Sequence, residues 1–379
     1  MSARTSSGPG ILTRILGSQW FVSVLAVLIA FVIGAVLIAL SGASVLDAYY
    51  AMFRGSIVDP NAATFVRQIK PLTDSLFYSI PLIISGLGLA LGFRAGLFNI
   101  GGKGQIIVGA LAAVWVGFAV NLPPVVHTLV ALLVAIVAGG LYAGIAGVLK
   151  AKTGANEVIV TIMLNSIATL GLGYVLAQKA WQVPGSNQPV TPKVADSAAL
   201  TRLLPAPFKL HVGFIVALVA LAFFWWLIER STLGFQIRAV GANAAAARTA
   251  GISVERITAI TMVLSGAFLG LAGANEALGT IGYVSRDVAG SIGFDAITVA
   301  LLGRNKTWGT FGAGLLFGAF KAGGYTMQAK GVPIDMILIL QSVIVLLIAA
   351  PALVRWLFRL PDVRALAART RKGNADEHK

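Results

Sequence analysis

The sequence predicts an all-α polytopic membrane protein of about ten transmembrane helices with both termini cytoplasmic. Three observations carry that expectation. Hydrophobic residues fill 57% of the 379 positions and charged residues only 11%, against about 25% charged in a soluble domain. Apolar runs of 17 or more residues recur along the whole length, and such runs approach the width of a bilayer core. Basic residues, finally, gather on alternate sides of those runs. The runs are continuous instead of alternating over about ten residues, which excludes a β-barrel.

The expected spans are residues 20–40, 75–92, 105–121, 125–149, 157–178, 212–229, 257–278, 289–303, 308–327 and 333–354. Before them lies a cytoplasmic tail, 1–19, and after them a basic cytoplasmic tail, 355–379; the transmembrane domain is 20–354. The first run is too long for a signal-peptide core, so it is expected as a retained span. The second and third flank the polar segment GLFNIGGKGQ, 96–105. The fourth ends on Lys150 and Lys152. The fifth opens on Glu157, where a carboxylate suits a helix N-terminus, and carries Asn165. The sixth follows a proline-rich external loop, 179–211. A cytoplasmic loop, 230–256, comes next, and its alanine-rich middle predicts one short helix bounded by Gly241 and Gly251. The seventh span carries Glu276 near its outer end. The eighth is short and holds Asp295. The ninth holds Lys321, read as structural, snorkelling or pairing with a buried acid.

With the N-terminus inside, cytoplasmic segments hold 19 Lys and Arg and external ones 9, the bias of the positive-inside rule. That orientation requires an even number of spans, which retains the short eighth. It also accounts for the net charge of +15 by membrane topology and leaves no need for a nucleic-acid partner.

Catalytic patterns are missing. GLFNIGGKGQ looks like a phosphate cradle, but a Walker loop needs Ser or Thr after Gly-Lys, and Gly104 stands there. No other G-K-[ST] occurs, so this chain is not expected to hydrolyse ATP. The chain has no cysteine, and His127, His211 and His378 show no metal spacing. G-x-S-x-G is absent.

What remains is a bundle interrupted by glycine in both of two weakly related halves, at AGLFNIGGKG (95–104) and GSIGFDAITVALLG (290–303). Paired interruptions of this kind point to the solute pathway of a transporter, because freed backbone groups need protein, water or solute as partners. The path candidates are Phe98 and Phe294, as rings, and Asn99, Asn165, Glu276 and Asp295, as polar groups. Asn165 is equally readable as interhelical glue. Acidic groups in lipid are functional candidates by default, so Glu276 and Asp295 also suit a proton- or sodium-coupled secondary transporter.

GFRAGLFNIGGKGQIIVGALAA, KTGANEVIVTIMLNSIA, GFQIRAVGANAAAARTAGI and SGAFLGLAGANEALG, in this order, resemble the membrane permease subunits of bacterial ABC importers. The similarity spans roughly residues 70–350. It is closest to the nucleoside branch of the ribose/simple-sugar and branched-chain amino-acid permease group. The sugar branch typically has an acidic segment where GLFNIGGKGQ stands, so a pentose or other small solute is the runner-up. The resemblance implies a multi-pass protein of the bacterial inner membrane. Its partners would be an ABC ATPase that uses ATP and magnesium, a second permease, expected as a paralogue, and an external substrate-binding lipoprotein. It also implies that a cytoplasmic helix docks on the ATPase; the matching residues are Arg238, Gly241, Ala242 and Asn243, then Arg248, Gly251 and Ile252.

Overall fold

The computed structural model describes residues 19–186, 188–329, 331–333, 338–339, 342–343, 346–347 and 358. The described residues are helical, with a single bridge between Arg202 and His211 in place of strands. In chain order the helices are α1 (Gln19–Leu40), α2 (Val45–Ser56), α3 (Phe65–Arg94), α4 (Gly102–Ala119), α5 (Val126–Thr153) and α6 (Glu157–Ala177). They continue with α7 (Gly213–Arg230), α8 (Thr232–Ala242), α9 (Ala244–Thr249), α10 (Val254–Asn275), α11 (Ile292–Leu302) and α12 (Thr307–Gln328). A π turn, Glu276–Ile281, prolongs α10. Six of these, α3 to α7 and α10 with its π turn, are long and apolar enough to cross a membrane.

The chain divides into two compact units, residues 52–326 and residues 1–51 with 327–379. In the second of these, the Tyr49 ring packs edge-on against Phe31 at 5.4 Å. Its hydroxyl donates to the Phe31 carbonyl. Helix α2 falls inside a segment that hydropathy leaves as loop. It is amphipathic and too short to span.

The larger unit is organised around α10, which packs on α3, α4 and α5. Glycine makes that packing possible. A Cβ on Gly270 would stand 2.2 Å from the Ala135 carbonyl oxygen, and one on Gly266 would stand 2.3 Å from that of Gly139. On the α4 side, a Cβ on Gly273 would lie 2.2 Å from the Ile106 carbonyl oxygen. In lipid there is little hydrophobic gain in bringing helices together, so close backbone contact takes over as the source of cohesion. The abundance of glycine is thus a packing requirement.

Two expectations change here. The eighth span shortens to α11, whose 11 residues reach about 16 Å at 1.5 Å per residue. That is about half a bilayer core; residues 289–291 form turns instead. The segment expected as a proline-rich external loop, 179–211, is folded as a cap on the bundle. Its backbone bonds to the bundle through Val194 N to Gly282 O (3.0 Å), Ala195 N to Gly117 O (2.8 Å) and Leu200 N to Leu278 O (3.1 Å). Buried His127 holds it too, with Nδ1 2.8 Å from Ser197 Oγ and Nε2 3.0 Å from the Val116 carbonyl. A carbonyl only accepts, so Nε2 carries the proton. The expected span 333–354 lies largely outside the described residues, as do most of the two tails.

Candidate functional site

The polar segment GLFNIGGKGQ closes α3 and opens α4. Gly96, at φ +73°, ends α3: its N–H reaches the Phe93 carbonyl at 3.1 Å, and that of Leu97 reaches Gly92 at 2.9 Å. This Schellman turn satisfies the last carbonyls of the helix. Asn99 then turns inward and is fully buried. Its Oδ1 accepts from Gly101 N (2.9 Å) and Gln105 Nε2 (3.0 Å). Its Nδ2 donates to Gln105 Oε1 and Ser265 Oγ, both at 3.0 Å.

Helix α6 grips the same segment from the other side. Asn165 Oδ1 accepts from Gly104 N at 2.8 Å, while its Nδ2 donates to the Ile100 carbonyl at 2.8 Å. Thr161 Oγ1 accepts from Ile100 N at 3.2 Å, and Glu157 Oε1 from Phe98 N at 3.4 Å. Glu157 is held in turn by Lys150, at 2.6 Å. The break in the helix is therefore clamped by side chains that supply what the missing helical turn does not.

The two glycine-rich breaks meet. A Cβ on Gly293 would stand 2.4 Å from the Lys103 nitrogen. Beside this junction, Phe98 is 41% exposed with its ring 4.7 Å from that of Phe93, and Phe294 is 54% exposed. Asp295 accepts from the Ser291 hydroxyl at 2.6 Å. Glu276 is not part of this junction: it sits roughly 16 Å of helix beyond Ser265 along α10.

Glu276 instead faces a cavity of about 430 Å³ at the capped end, lined also by Phe77, Tyr78, Pro81, Lys321 and Tyr325. Arg202 and Lys209 reach it from the cap. The Tyr78 and Tyr325 rings stand 5.4 Å apart at 37°. The π turn begins at Glu276, and such turns are frequent at functional sites because they rotate side chains out of the regular helical register. Behind the wall lie two buried groups, His211 and Asn275. The imidazole packs edge-on against Phe77 at 5.5 Å and accepts at Nδ1 from Gly213 N at 3.1 Å. Burial holds its pKa down at about 4, so it stays neutral. Its Nε2, and both polar atoms of the Asn275 amide, have no hydrogen-bond partner.

At the opposite end, the short alanine-rich helix expected between Gly241 and Gly251 is α9 (Ala244–Thr249), and a second helix, α8 (Thr232–Ala242), precedes it. Asn243 leaves helical geometry, at φ −161°, and its Oδ1 caps α9 by accepting from Ala246 N at 3.0 Å. Capping competes with helix continuation for that side chain. Gly241 stands at the boundary, one residue before α8 ends at Ala242. It lies within α8, where a Cβ would be 2.0 Å from the Arg94 carbonyl oxygen, so it docks α8 on the end of α3. Gly251 is a boundary, at φ +82°, and closes α9 with Gly251 N to Arg248 O and Ile252 N to Ala247 O, both 3.0 Å. Arg238, Ala242, Asn243 and Ile252 line one open groove of about 750 Å³ with exposed Phe235. Arg248 pairs with Glu255 at 2.7 Å.

Polarity and glycine spacing single out Asn99, Asn165, Glu276 and Asp295 but pass over Tyr78, Tyr325, His211 and Asn275. The aromatic residues carry a readable signal only beside Lys321, as a cation with rings inside apolar runs.

Residues 72–349 match the family described as branched-chain amino acid transport system / permease component. The guanosine ABC transporter permease NupP of Bacillus subtilis is 39% identical over 89% of this chain and 95% of its own length. The glucose ABC transporter permease TsgB13 of Haloferax volcanii is 35% identical over 85% of each chain. The nucleoside ABC transporter permease NupB of Lactococcus lactis is 30% identical over 92% of this chain and 94% of its own. A second guanosine permease of the same Bacillus, NupQ, is 29% identical over 66% of this chain. No solved structure matches.

Proposed function

The chain belongs to the branched-chain amino acid transport system permease family, and from that premise we propose that it is the membrane subunit of an ATP-driven nucleoside importer. It sits in the bacterial inner membrane as a bundle of about ten membrane helices in two glycine-broken halves, with α11 reaching only part of the way across. Both termini are cytoplasmic, a reading supported by the 19-to-9 bias of basic residues. The capped end then faces outward.

The observation that carries the solute class is the capped cavity. Tyr78 and Tyr325 offer rings to a base, while Glu276 and Lys321 offer an acceptor and a donor. The likeness to guanosine and nucleoside permeases supports the same reading. A sugar is the second reading, favoured by the likeness to a glucose permease. Solute delivered by an external lipoprotein enters this cavity and moves towards the junction of the two breaks. There the exposed Phe98 and Phe294 rings flank the path beside Asp295. Asn99 and Asn165 hold its wall.

The energy comes from a separate ATPase, with its ATP and magnesium, since the chain lacks G-K-[ST]. α8 and α9 form the contact. The open groove of Arg238, Ala242, Asn243 and Ile252 receives the ATPase, and Gly241 passes its movement directly to α3. ATP drives the switch by binding one state of the assembly better than the other. The second permease is a paralogue, as the resemblance of both NupP and NupQ to this chain suggests.

The test is ATP hydrolysis by the purified complex in lipid nanodiscs, with lipoprotein added alone or loaded. Stimulation by nucleoside-loaded lipoprotein and none by glucose supports the proposal. Stimulation by glucose alone reverses the order of the two solutes.

A further inference from the structure

A nucleoside offers the capped cavity two polar faces, the ribose diol and the edge of the base. We infer that the cavity reads the base edge and favours oxo bases, Glu276 accepting from the ring N–H and Lys321 donating to the adjacent carbonyl. The inference rests on the nucleoside reading of that cavity.

Guanine, hypoxanthine and uracil share one feature: a ring N–H beside a C=O. Adenine and cytosine have no such ring N–H. An acceptor-only carboxylate next to a donor-only ammonium complements the first group. Glu276 and Lys321 line the same cavity without a direct ion pair; the Glu276 carboxylate accepts from the Thr280 side chain and has further lone pairs for a solute. A diol presents two equivalent hydroxyls, each both donor and acceptor, and calls for no such opposition of charge. The Tyr78 and Tyr325 rings, 5.4 Å apart and tilted by 37°, add faces on which a planar base stacks. The volume of about 430 Å³ falls in the range of small-molecule sites.

Two features beyond the pair point to a ligand. The π turn that starts at Glu276 re-aims its side chain relative to an α-helical continuation. Behind Gly279, which lines the cavity, the fully buried Asn275 amide and His211 Nε2 lack partners. A Cβ on Gly279 would meet the His211 ring at 2.4 Å, so the absence of a side chain there brings that ring up to the cavity wall. Buried donors and acceptors without protein partners are rare and ask for a bound polar group.

The experiment measures uptake into proteoliposomes by the full complex, with one lipoprotein throughout. Rates are referred to the fraction of lipoprotein loaded, which isolates the membrane step. Inosine is compared with adenosine, N1-methylinosine and 2′,3′-dideoxyinosine, for the wild type, Glu276→Gln and Lys321→Met. The expected result is that N1-methylation slows wild-type uptake at least about tenfold, the scale on which a hydrogen-bonding site rejects a ligand lacking its partner. Glu276→Gln and Lys321→Met slow inosine similarly and adenosine less, so that the inosine-to-adenosine ratio of the wild type falls at least about fivefold. The inference is overturned if N1-methylinosine moves as fast as inosine, or if both variants slow adenosine and inosine alike. It is also overturned if removal of the ribose hydroxyls, and not N1-methylation, produces the loss. Wild-type uptake of no nucleoside at all overturns the underlying nucleoside reading, before any variant is made.

Discussion

Gly102 and Gly293 meet backbone to backbone and so join the two glycine-rich breaks. A Cβ on Gly102 would stand 3.0 Å from the Gly293 carbonyl oxygen, and one on Gly293 would stand 2.4 Å from Lys103 N. Backbone atoms on both sides leave no flexible side chain to yield. Gly293→Ala is therefore expected to destabilise by about 1–3 kcal/mol, the usual cost of overpacking. Gly312→Ala, with nothing within 4 Å of its Cβ, serves as the control and is expected to leave stability unchanged or slightly raised. Thermal unfolding in nanodiscs separates the two; equal melting temperatures contradict the packing described.

Asn165 spends its amide on the backbone of the first break, at Gly104 N and Ile100 O. Asn165→Leu strands a buried donor, costing about 1–3 kcal/mol, and removes the partner of the part-buried Ile100 carbonyl. The expected result is a large loss of stability, with the concentration dependence of uptake unchanged in whatever protein survives. A shifted half-saturation at native stability places the amide in contact with solute.

These two sites show how far the chain could be read. Long apolar runs and the basic bias are visible because hydropathy and charge are local properties; α4 to α7 match them closely, while α3 begins at Phe65, before its expected span 75–92. Whether a buried amide faces solute or backbone is a tertiary matter, so polarity alone treats Asn165 and Glu276 alike. One turns out to clamp a broken helix and the other faces a cavity. The pairing of the breaks was legible as a repeated glycine pattern; their contact was not. Likewise α2 is missed because it is short and amphipathic, and α11 is overextended because the turn residues Ala289, Gly290 and Ser291 are small and uncharged and do not interrupt the run. Gly241 reads as punctuation from its place beside an alanine run, and its close approach to the Arg94 carbonyl, far away in sequence, is not legible there.

His211 gives the cap an acid limit. Burial depresses its pKa from 6.5 to about 4, so the opened segment binds a proton more readily than the folded one. The stability that depends on neutral His211 is fully present above about pH 6.5 and is lost as pH falls towards 4, amounting to about 3 kcal/mol in all. Hydrogen exchange of residues 199–212, corrected for intrinsic rates, is expected to show opening about twentyfold more frequent at pH 5 than at pH 7. His211→Gln is expected to abolish that ratio, and an unchanged ratio sinks the assignment.

Arg248 and Glu255 pair at 2.7 Å, but their side chains are 65% and 53% exposed. Such an exposed pair, screened by solvent, contributes little to stability. Arg248→Glu is thus expected to leave the isolated chain as stable as before while weakening co-purification of the ATPase. Gly251→Val forces a β-branched residue to φ +82°, and is expected to unseat α9 and separate ATP hydrolysis from uptake. If both variants assemble and transport normally, the ATPase docks elsewhere.

The central claim is that this chain moves a nucleoside inward at the expense of ATP hydrolysed by a partner. Labelled nucleoside uptake into proteoliposomes holding the whole complex, with ATP enclosed on the ATPase side and a protonophore added, tests it most directly. The expected result is uptake that persists with the protonophore and stops when ATP is removed. Uptake that collapses with the protonophore and ignores ATP would contradict it, and would make Glu276 and Asp295 carriers of an ion gradient instead.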